Sequence, residues 1–186
     1  DEYVFPITTL RPETIFGITN LWVNPNTIYK KIKADDEKWI VSQECTEKLE
    51  FFGKEIVIEG DIKGTDLIGK FAKAPHTEKE IPIFEAEFVE SGMGTGLVMS
   101  VPAHAPKDYQ ALMDLKSKNH ELASKIEPIP IISTEGYGKI PAKEVCEKLG
   151  VTNQIDTKLE EATEELYLKE FVNGKLNEKC GDFVNE

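Results

Sequence analysis

Gly92-Met93-Gly94-Thr95-Gly96-Leu97-Val98-Met99-Ser100-Val101-Pro102-Ala103-His104-Ala105-Pro106-Lys107-Asp108-Tyr109 is the stretch on which the reading of this chain turns. A glycine-rich turn feeds an apolar run, Gly96–Val101, that reads as a strand. Pro106 then opens a helix predicted to reach about Lys125, because a proline at a first helical position lacks only an N–H that has no helical partner anyway. A strand, not a helix, follows the glycines, and the spacing is not G-x-G-x-x-G, so a dinucleotide site is disfavoured. No G-x-x-x-x-G-K-[ST] phosphate loop occurs either. The glycines allow close approach to a ligand or a neighbouring strand, and a tight hairpin explains them equally well. Asp108 falls in the first helical turn, where compensation of the helix dipole alone would account for it. His104 is open to two readings, a site residue or a satisfied core or loop histidine.

Working outward, a second segment of interest lies upstream, Thr8-Thr9-Leu10-Arg11-Pro12-Glu13-Thr14. A strand ends in hydroxyls and turns into a helix begun by Pro12. Free N–H groups at such a turn can bind an anion or a carbonyl oxygen. Capping by Thr8 or Thr9, with Glu13 favouring the dipole, is the alternative. Further strand-like runs are Tyr3–Thr9, Ile28–Lys33, Glu55–Glu59, Ile81–Val89 and Ile129–Ile132. Pro141 opens a helix that Gly150 closes, and Asp156 is an N-cap candidate for another carrying Leu159, Ala162 and Leu166 at helical spacing. From about Phe171 to Glu186 the pattern weakens, and this stretch is expected to be a linker. Many short strands with inserted helices, not regular βαβ units, predict an α+β fold with a barrel-like mixed β core and peripheral helices.

The 186 residues allow one domain with a real core, taken as residues 1–186. With 22 Lys+Arg against 34 Asp+Glu the net charge is −12, which excludes a free-standing module gripping a nucleic-acid backbone by bulk charge. No apolar run approaches the ~18 residues of a membrane span, so no membrane partner is expected. The chain opens Asp1-Glu2-Tyr3-Val4-Phe5 without Met, which suggests a domain excised from something larger. Cys45, Cys146 and Cys180 include no C-x-x-C pair, which argues against a zinc site or a disulfide framework. His76, His104 and His120 have no metal-ligand spacing, so no metal is expected. A serine hydrolase lacks its G-x-S-x-G elbow.

Taken together and in this order, the segments closely resemble the editing domain inserted in the class I aminoacyl-tRNA synthetases for branched aliphatic amino acids. Thr8-Thr9-Leu10-Arg11-Pro12-Glu13-Thr14 looks like that family's threonine-rich segment. Gly94-Thr95-Gly96 with Val101-Pro102-Ala103-His104 and Asp108 looks like its second signature. The resemblance spans essentially the whole chain, less distinctively after about residue 140. Leu10, placed between the threonines and Arg11, resembles the leucyl branch of archaeal and eukaryotic type. The valyl and isoleucyl editing domains are the alternatives, and a non-catalytic tRNA-docking module is a third.

The resemblance implies hydrolytic proofreading of mischarged tRNA(Leu), in the cytoplasm, with the rest of the synthetase and the 3′ terminal adenosine of aminoacylated tRNA(Leu) as partners. It implies no cofactor in this domain, ATP and Mg belonging to the parent's synthetic site. His-Ile-Gly-His and Lys-Met-Ser-Lys-Ser signatures are absent, so amino-acid activation by this chain is not expected. Among the catalytic residues it implies, Asp108 would bind the α-ammonium of the aminoacyl group, Thr14 would exclude leucine, and Thr8 and Thr9 would hydrogen-bond substrate or attacking water. Backbone around Leu10 and Arg11 and the Gly94-Thr95-Gly96 turn would hold the adenosine and the developing oxyanion. Met99 and Val101 would line the side-chain pocket, with His104 at its rim. Arg11 would contact phosphate or pair with Glu13.

Overall fold

A computed structural model describes residues 2–75, 77 and 79–177. The elements in chain order are a 3-10 helix (Pro12–Gly17), β1 (Asn20–Val23), β2 (Ile28–Ala34), β3 (Glu37–Ser42), α1 (Gln43–Phe51), β4 (Ile56–Lys63), α2 (Gly64–Leu67), β5 (Phe71–Lys73), β6 (Glu80–Glu85), β7 (Leu97–Ser100), α3 (Pro106–Ser117), α4 (Glu121–Ser124), β8 (Ile132–Ser133), α5 (Pro141–Leu149), α6 (Lys158–Asn173) and β9 (Lys175–Leu176). The strands form separate sheets ordered β5-β6-β1-β7, β3-β2-β4 and β8-β9. The fold is thus α+β, and among the described residues no sheet closes into a barrel. The chain divides into two compact units.

The first unit comprises Asp1–Leu10, Leu21–Ala72 and Glu80–Met99. The run Tyr3–Thr9 joins the sheet only at Val4, whose N–H donates to Lys38 O (2.8 Å) and whose carbonyl accepts from Ile40 N (3.0 Å). Pro6 has no N–H to extend that ladder, which is why the predicted strand shrinks to a single bridge. β1 has all four residues buried, so no alternation marks it in the sequence. It pairs in parallel with β6, Trp22 beside Phe84. β2 and β3 form a hairpin in which Asp35 takes φ 53. One core gathers Leu21, Val23, Tyr29, Ile40, Leu67, Ile83 and Leu97. Another packs Cys45 of α1 with Ile32, Ala34 and Val41 of β2 and β3.

The second unit comprises Arg11–Asn20, Lys73–Lys79 and Ser100–Glu186. The helix predicted from Pro106 to Lys125 breaks at Lys118-Asn119-His120. Asn119 adopts φ 57, the His120 N–H turns back to Leu115 O (3.2 Å), and His120 Nδ1 then caps α4 by accepting Ala123 N–H (3.3 Å). α5 begins at Pro141 and is closed by Gly150, as the sequence indicates. Asp156 Oδ1 accepts the Lys158 N–H (3.0 Å) at the start of α6. Tyr109, Ala142, Val145, Cys146, Leu159, Ala162 and Leu166 form the core among α3, α5 and α6. The expected linker is corrected over its described part. α6 continues through Phe171 to Asn173, and β9 pairs Leu176 with Ile132 and Lys175 with Ser133, so these residues belong to the folded unit. Residues 178–186 lie outside the described residues, as does Cys180.

Glu165 ties α6 to α5. It faces Lys148 Nζ (2.7 and 2.8 Å) and Lys169 Nζ (2.9 Å) and accepts from the Tyr137 hydroxyl (2.8 Å). These bonds hold its carboxyl well down, at about 2. A depressed carboxylate stabilises the fold fully above its unfolded value, and that stabilisation is lost as pH falls towards and through about 2. Urea unfolding of Glu165→Gln should therefore show a stability deficit at pH 7 that closes as the pH is lowered from about 4.5 to about 2. A deficit unchanged across that range would remove Glu165 as its origin.

Candidate functional site

The sequence-predicted site residues fall in both units. In the first, Thr8, Thr9 and Leu10 are exposed, Leu10 fully so. Gly94 approaches Thr8 so closely that a Cβ there would lie 2.2 Å from Thr8 Oγ1, with φ +55 besides. Gly96 takes φ +76, and a Cβ on it would meet Ser42 Cβ at 2.5 Å. Ser42 is itself the cap of α1, its Oγ accepting Cys45 N–H (3.1 Å) and its N–H donating to Thr95 O (2.9 Å). Tyr29 adds a bond from its hydroxyl to Gly96 O (3.0 Å). The turn is therefore built by close packing on the strand–helix corner. Both readings of the glycines draw on it, a hairpin-like turn and close approach of backbone to a neighbour. Gly96→Ala, strained in backbone and in contact, should lower stability by about 1–3 kcal/mol in denaturant titration; an unchanged midpoint would show that the corner yields. Thr95 is buried and Met99 half-buried.

In the second unit, Asp108 is the third residue of α3, placed there by Pro106. It is 3% exposed, and its Oδ2 accepts the Val101 N–H at 2.8 Å. Beyond dipole compensation, the carboxylate thus staples Val101 to the first turn of α3. Within the loop so closed, the His104 and Ala105 N–H groups both donate to Val101 O (2.9 and 3.1 Å). Val101 is buried.

His104 is 0% exposed. Its Nε2 accepts the N–H groups of Ile131 (2.9 Å) and Ile132 (3.2 Å), so the ring proton is on Nδ1 and points at Glu170 Oε1, 2.7 Å away. Both ring nitrogens are taken up inside the chain, and His104 is a strut between the loop after β7, the segment entering β8, and α6.

Arg11 lies at the start of the 3-10 helix. Its Nε pairs with Glu13 (3.1 Å), its Nη2 lies 2.6 Å from Glu170 Oε2, and its guanidinium stacks 4.6 Å over the Tyr167 ring. Burial pulls the guanidinium pKa down, but Glu170, Tyr167 and Glu13 together outweigh this and leave it raised. The Glu13 pairing weighed from the sequence is present, together with a deeper partner. Arg11 O accepts from both the N–H (3.0 Å) and the Oγ1 (2.7 Å) of Thr14, which is 2% exposed. Tyr167 completes the group: desolvation and the nearby Asp108 carboxylate push its hydroxyl to about 12. Arg11, Thr14, His104, Tyr167 and Glu170 are therefore one contacting set.

Sequence reasoning missed Glu170 and Tyr167. The signal for Glu170 was present. It falls on the stripe Leu159, Ala162, Leu166, Glu170, and a carboxylate on an apolar helical stripe demands a buried cationic or hydrogen-bonding partner. Cys45 and Cys146 are free and buried, the latter's thiol pushed up to about 12 by burial, which keeps it unreactive. Among the described residues no cluster of three or more His, Cys, Asp or Glu could hold a metal ion, and no helix is long and apolar enough to cross a membrane. A cavity of about 530 Å³ opens beside β8 and β9, lined by residues such as Ile131, Tyr137, Lys139 and Lys175; none of the predicted site residues lines it.

The family model described as leucyl-tRNA synthetase, editing domain, matches residues 2–130, well over half of the chain. The chain belongs to the leucyl-tRNA synthetase editing-domain family. It is 46% identical over 199 residues to a leucine–tRNA ligase of Methanococcus aeolicus and 48% over 197 residues to one of Methanocaldococcus jannaschii. Each match covers 98% of this chain, and the chain spans only 20% of either relative. The crystal structure of GlLeuRS-CP1 superposes with a TM-score of 0.81 at 29% identity, covering 98% of this chain and 80% of that one. The Plasmodium falciparum cytosolic leucyl-tRNA synthetase editing domain gives 0.86 at 23% identity, covering 94% and 69%, and shows the shared fold. The editing-domain family is thus the leucyl one, the branch that Leu10 indicates, and not the valyl or isoleucyl branch.

Proposed function

We propose that this chain is the hydrolytic proofreading domain of a leucine–tRNA ligase acting in the cytoplasm, and that it cleaves noncognate aliphatic amino acids from tRNA(Leu). The need is physical. A pocket built for leucine discriminates by only ~1–3 kcal/mol per methylene, about 10–200-fold, whereas faithful charging requires ~10⁴. A second, hydrolytic site supplies the difference. The observation that carries the reading is the buried Asp108 carboxylate in the first turn of α3, within the same unit as the buried Thr14, whose hydroxyl donates to Arg11 O. A carboxylate so placed suits the α-ammonium of an aminoacyl ester, since a hydrogen bond to a charged group contributes ~1.5–3 kcal/mol.

Thr14 suits the excluding role because its side chain is β-branched and its hydroxyl is fixed on Arg11 O, which limits its rotamers. Val101 and Met99 are apolar candidates for the side-chain pocket. Thr8 and Thr9 are proposed, on their exposure alone, to hydrogen-bond ester or water. Leu10 and the Gly94-Thr95-Gly96 turn keep the adenosine-binding role implied for their backbone. His104 is proposed to position, not to touch substrate. Water adds to the ester carbonyl, the bond to the ribose oxygen breaks, and that oxygen takes the proton. Positioning of ester and water drives the step, with help from the adenosine's hydroxyls, and the reaction calls for no cofactor.

The test is deacylation of isoleucyl- or norvalyl-tRNA(Leu) by the protein at high concentration. Ester loss above the spontaneous rate is expected. Retention of the ester would instead favour a module that docks tRNA without chemistry.

A further inference from the structure

We infer that Glu170 sets the amino-acid specificity of the site by holding Arg11, and through it the turn that orients Thr14. The inference rests on the proofreading reading above and adds a residue to it. Glu170 sits near the C-terminal end of α6, far in sequence from both motifs, yet its side chain is 1% exposed. Its two oxygens serve two different segments. Oε1 faces His104 Nδ1 at 2.7 Å and accepts weakly from the Thr134 hydroxyl at 3.4 Å; Oε2 faces Arg11 Nη2 at 2.6 Å. Thr134 is buried too.

The two contacts are not equivalent. Nδ1–H of His104 needs only an acceptor, which a neutral amide oxygen also provides. Arg11 needs the charge. From Arg11 the link runs to the backbone. Its carbonyl accepts both the N–H and the hydroxyl of Thr14, so the residue that Glu170 holds by its guanidinium is also the one on whose carbonyl the Thr14 side chain is seated. The Tyr167 ring, 4.6 Å from the guanidinium carbon, adds a stacking contact to Arg11. Arg11 thus has a stacked ring, a long bond from Nη1 to His104 O (3.5 Å) and two carboxylates, Glu13 and Glu170, of which Glu170 is the fully buried one.

Glu170→Gln separates the functions: it keeps the acceptor for His104 and removes the charge that holds Arg11. In the full-length leucine–tRNA ligase, the variant should hydrolyse preformed isoleucyl-tRNA(Leu) within about threefold of wild type. Its hydrolysis of leucyl-tRNA(Leu) should rise at least about tenfold, the range open to a loosened apolar pocket. A merely structural role would slow both substrates together, and that result would overturn the inference, as would a wild-type ratio between them. Should Glu170→Gln fold poorly, Glu170→Gln combined with Arg11→Met removes the buried unpaired cation. The same loss of discrimination is then expected, and retained discrimination overturns the proposal. Failure of the wild-type protein to deacylate isoleucyl-tRNA(Leu) is a separate outcome; it sinks the proofreading reading itself, and this inference with it.

Discussion

Asp108→Asn is expected to lower kcat/KM for deacylation of isoleucyl-tRNA(Leu) by about 10–150-fold, the equivalent of a charge-assisted hydrogen bond worth ~1.5–3 kcal/mol. Asparagine keeps an oxygen that can accept the Val101 N–H, the bond now made by Oδ2 at 2.8 Å. Its stability loss should therefore be confined to the dipole contribution, about 0.3–1 kcal/mol, with the larger loss in turnover. Asp108→Ala removes the acceptor as well. It should lose at least as much activity and, in addition, about 1–3 kcal/mol of stability, because a buried N–H is left without a partner. Measuring the pair by deacylation kinetics and denaturant unfolding separates charge from staple. Equal stability losses with equal rates would assign Asp108 a structural role alone; near-wild-type turnover in both would remove it from the site.

Thr14→Ala should let the domain hydrolyse correctly charged leucyl-tRNA(Leu), with a rise of about 10–200-fold over wild type. Alanine deletes both the methyl group and the hydroxyl that donates to Arg11 O at 2.7 Å. Two further substitutions divide those effects. Thr14→Ser keeps the hydroxyl bond and removes the methyl, so it should open the site to leucine if bulk is what excludes it. Thr14→Val keeps the bulk and loses the bond, so it should exclude leucine still, provided its rotamer is maintained by packing. Leucyl-tRNA left intact by both Thr14→Ala and Thr14→Ser would place the excluding group elsewhere. The aminoacylated tRNA remaining over time, followed with radiolabelled amino acid, is the readout for all three.

The two motifs were legible because they are local. Pro106 and Pro141 start their helices, Gly150 closes one, and Asp108 falls where a carboxylate is favoured. Family membership was legible for the same reason, since short segments in fixed order carry it. The errors have physical sources. Tyr3–Thr9 has strand composition, but Pro6 interrupts its ladder. Asn20–Val23 is buried throughout and so shows no period. The helix after Pro106 stops early because Asn119 tolerates the left-handed conformation that ends it. Residues 171–177 look featureless because Phe171 and Val172 are exposed, although α6 and β9 run through them.

By itself the sequence determined the α+β class, the editing-domain family and the residue types available for chemistry, because composition, turn residues and ordered motifs act over a few positions. Tertiary structure alone decided who partners whom. Glu170 reaches Arg11 and His104 across more than sixty residues of chain, and nothing local to Arg11 tells whether its guanidinium meets a phosphate or a buried carboxylate. His104 likewise is seen to be a buried strut only once Ile131, Ile132 and Glu170 are found at its two nitrogens. A buried polar group must find its partners wherever the fold brings them, and that placement is a property of packing, not of spacing.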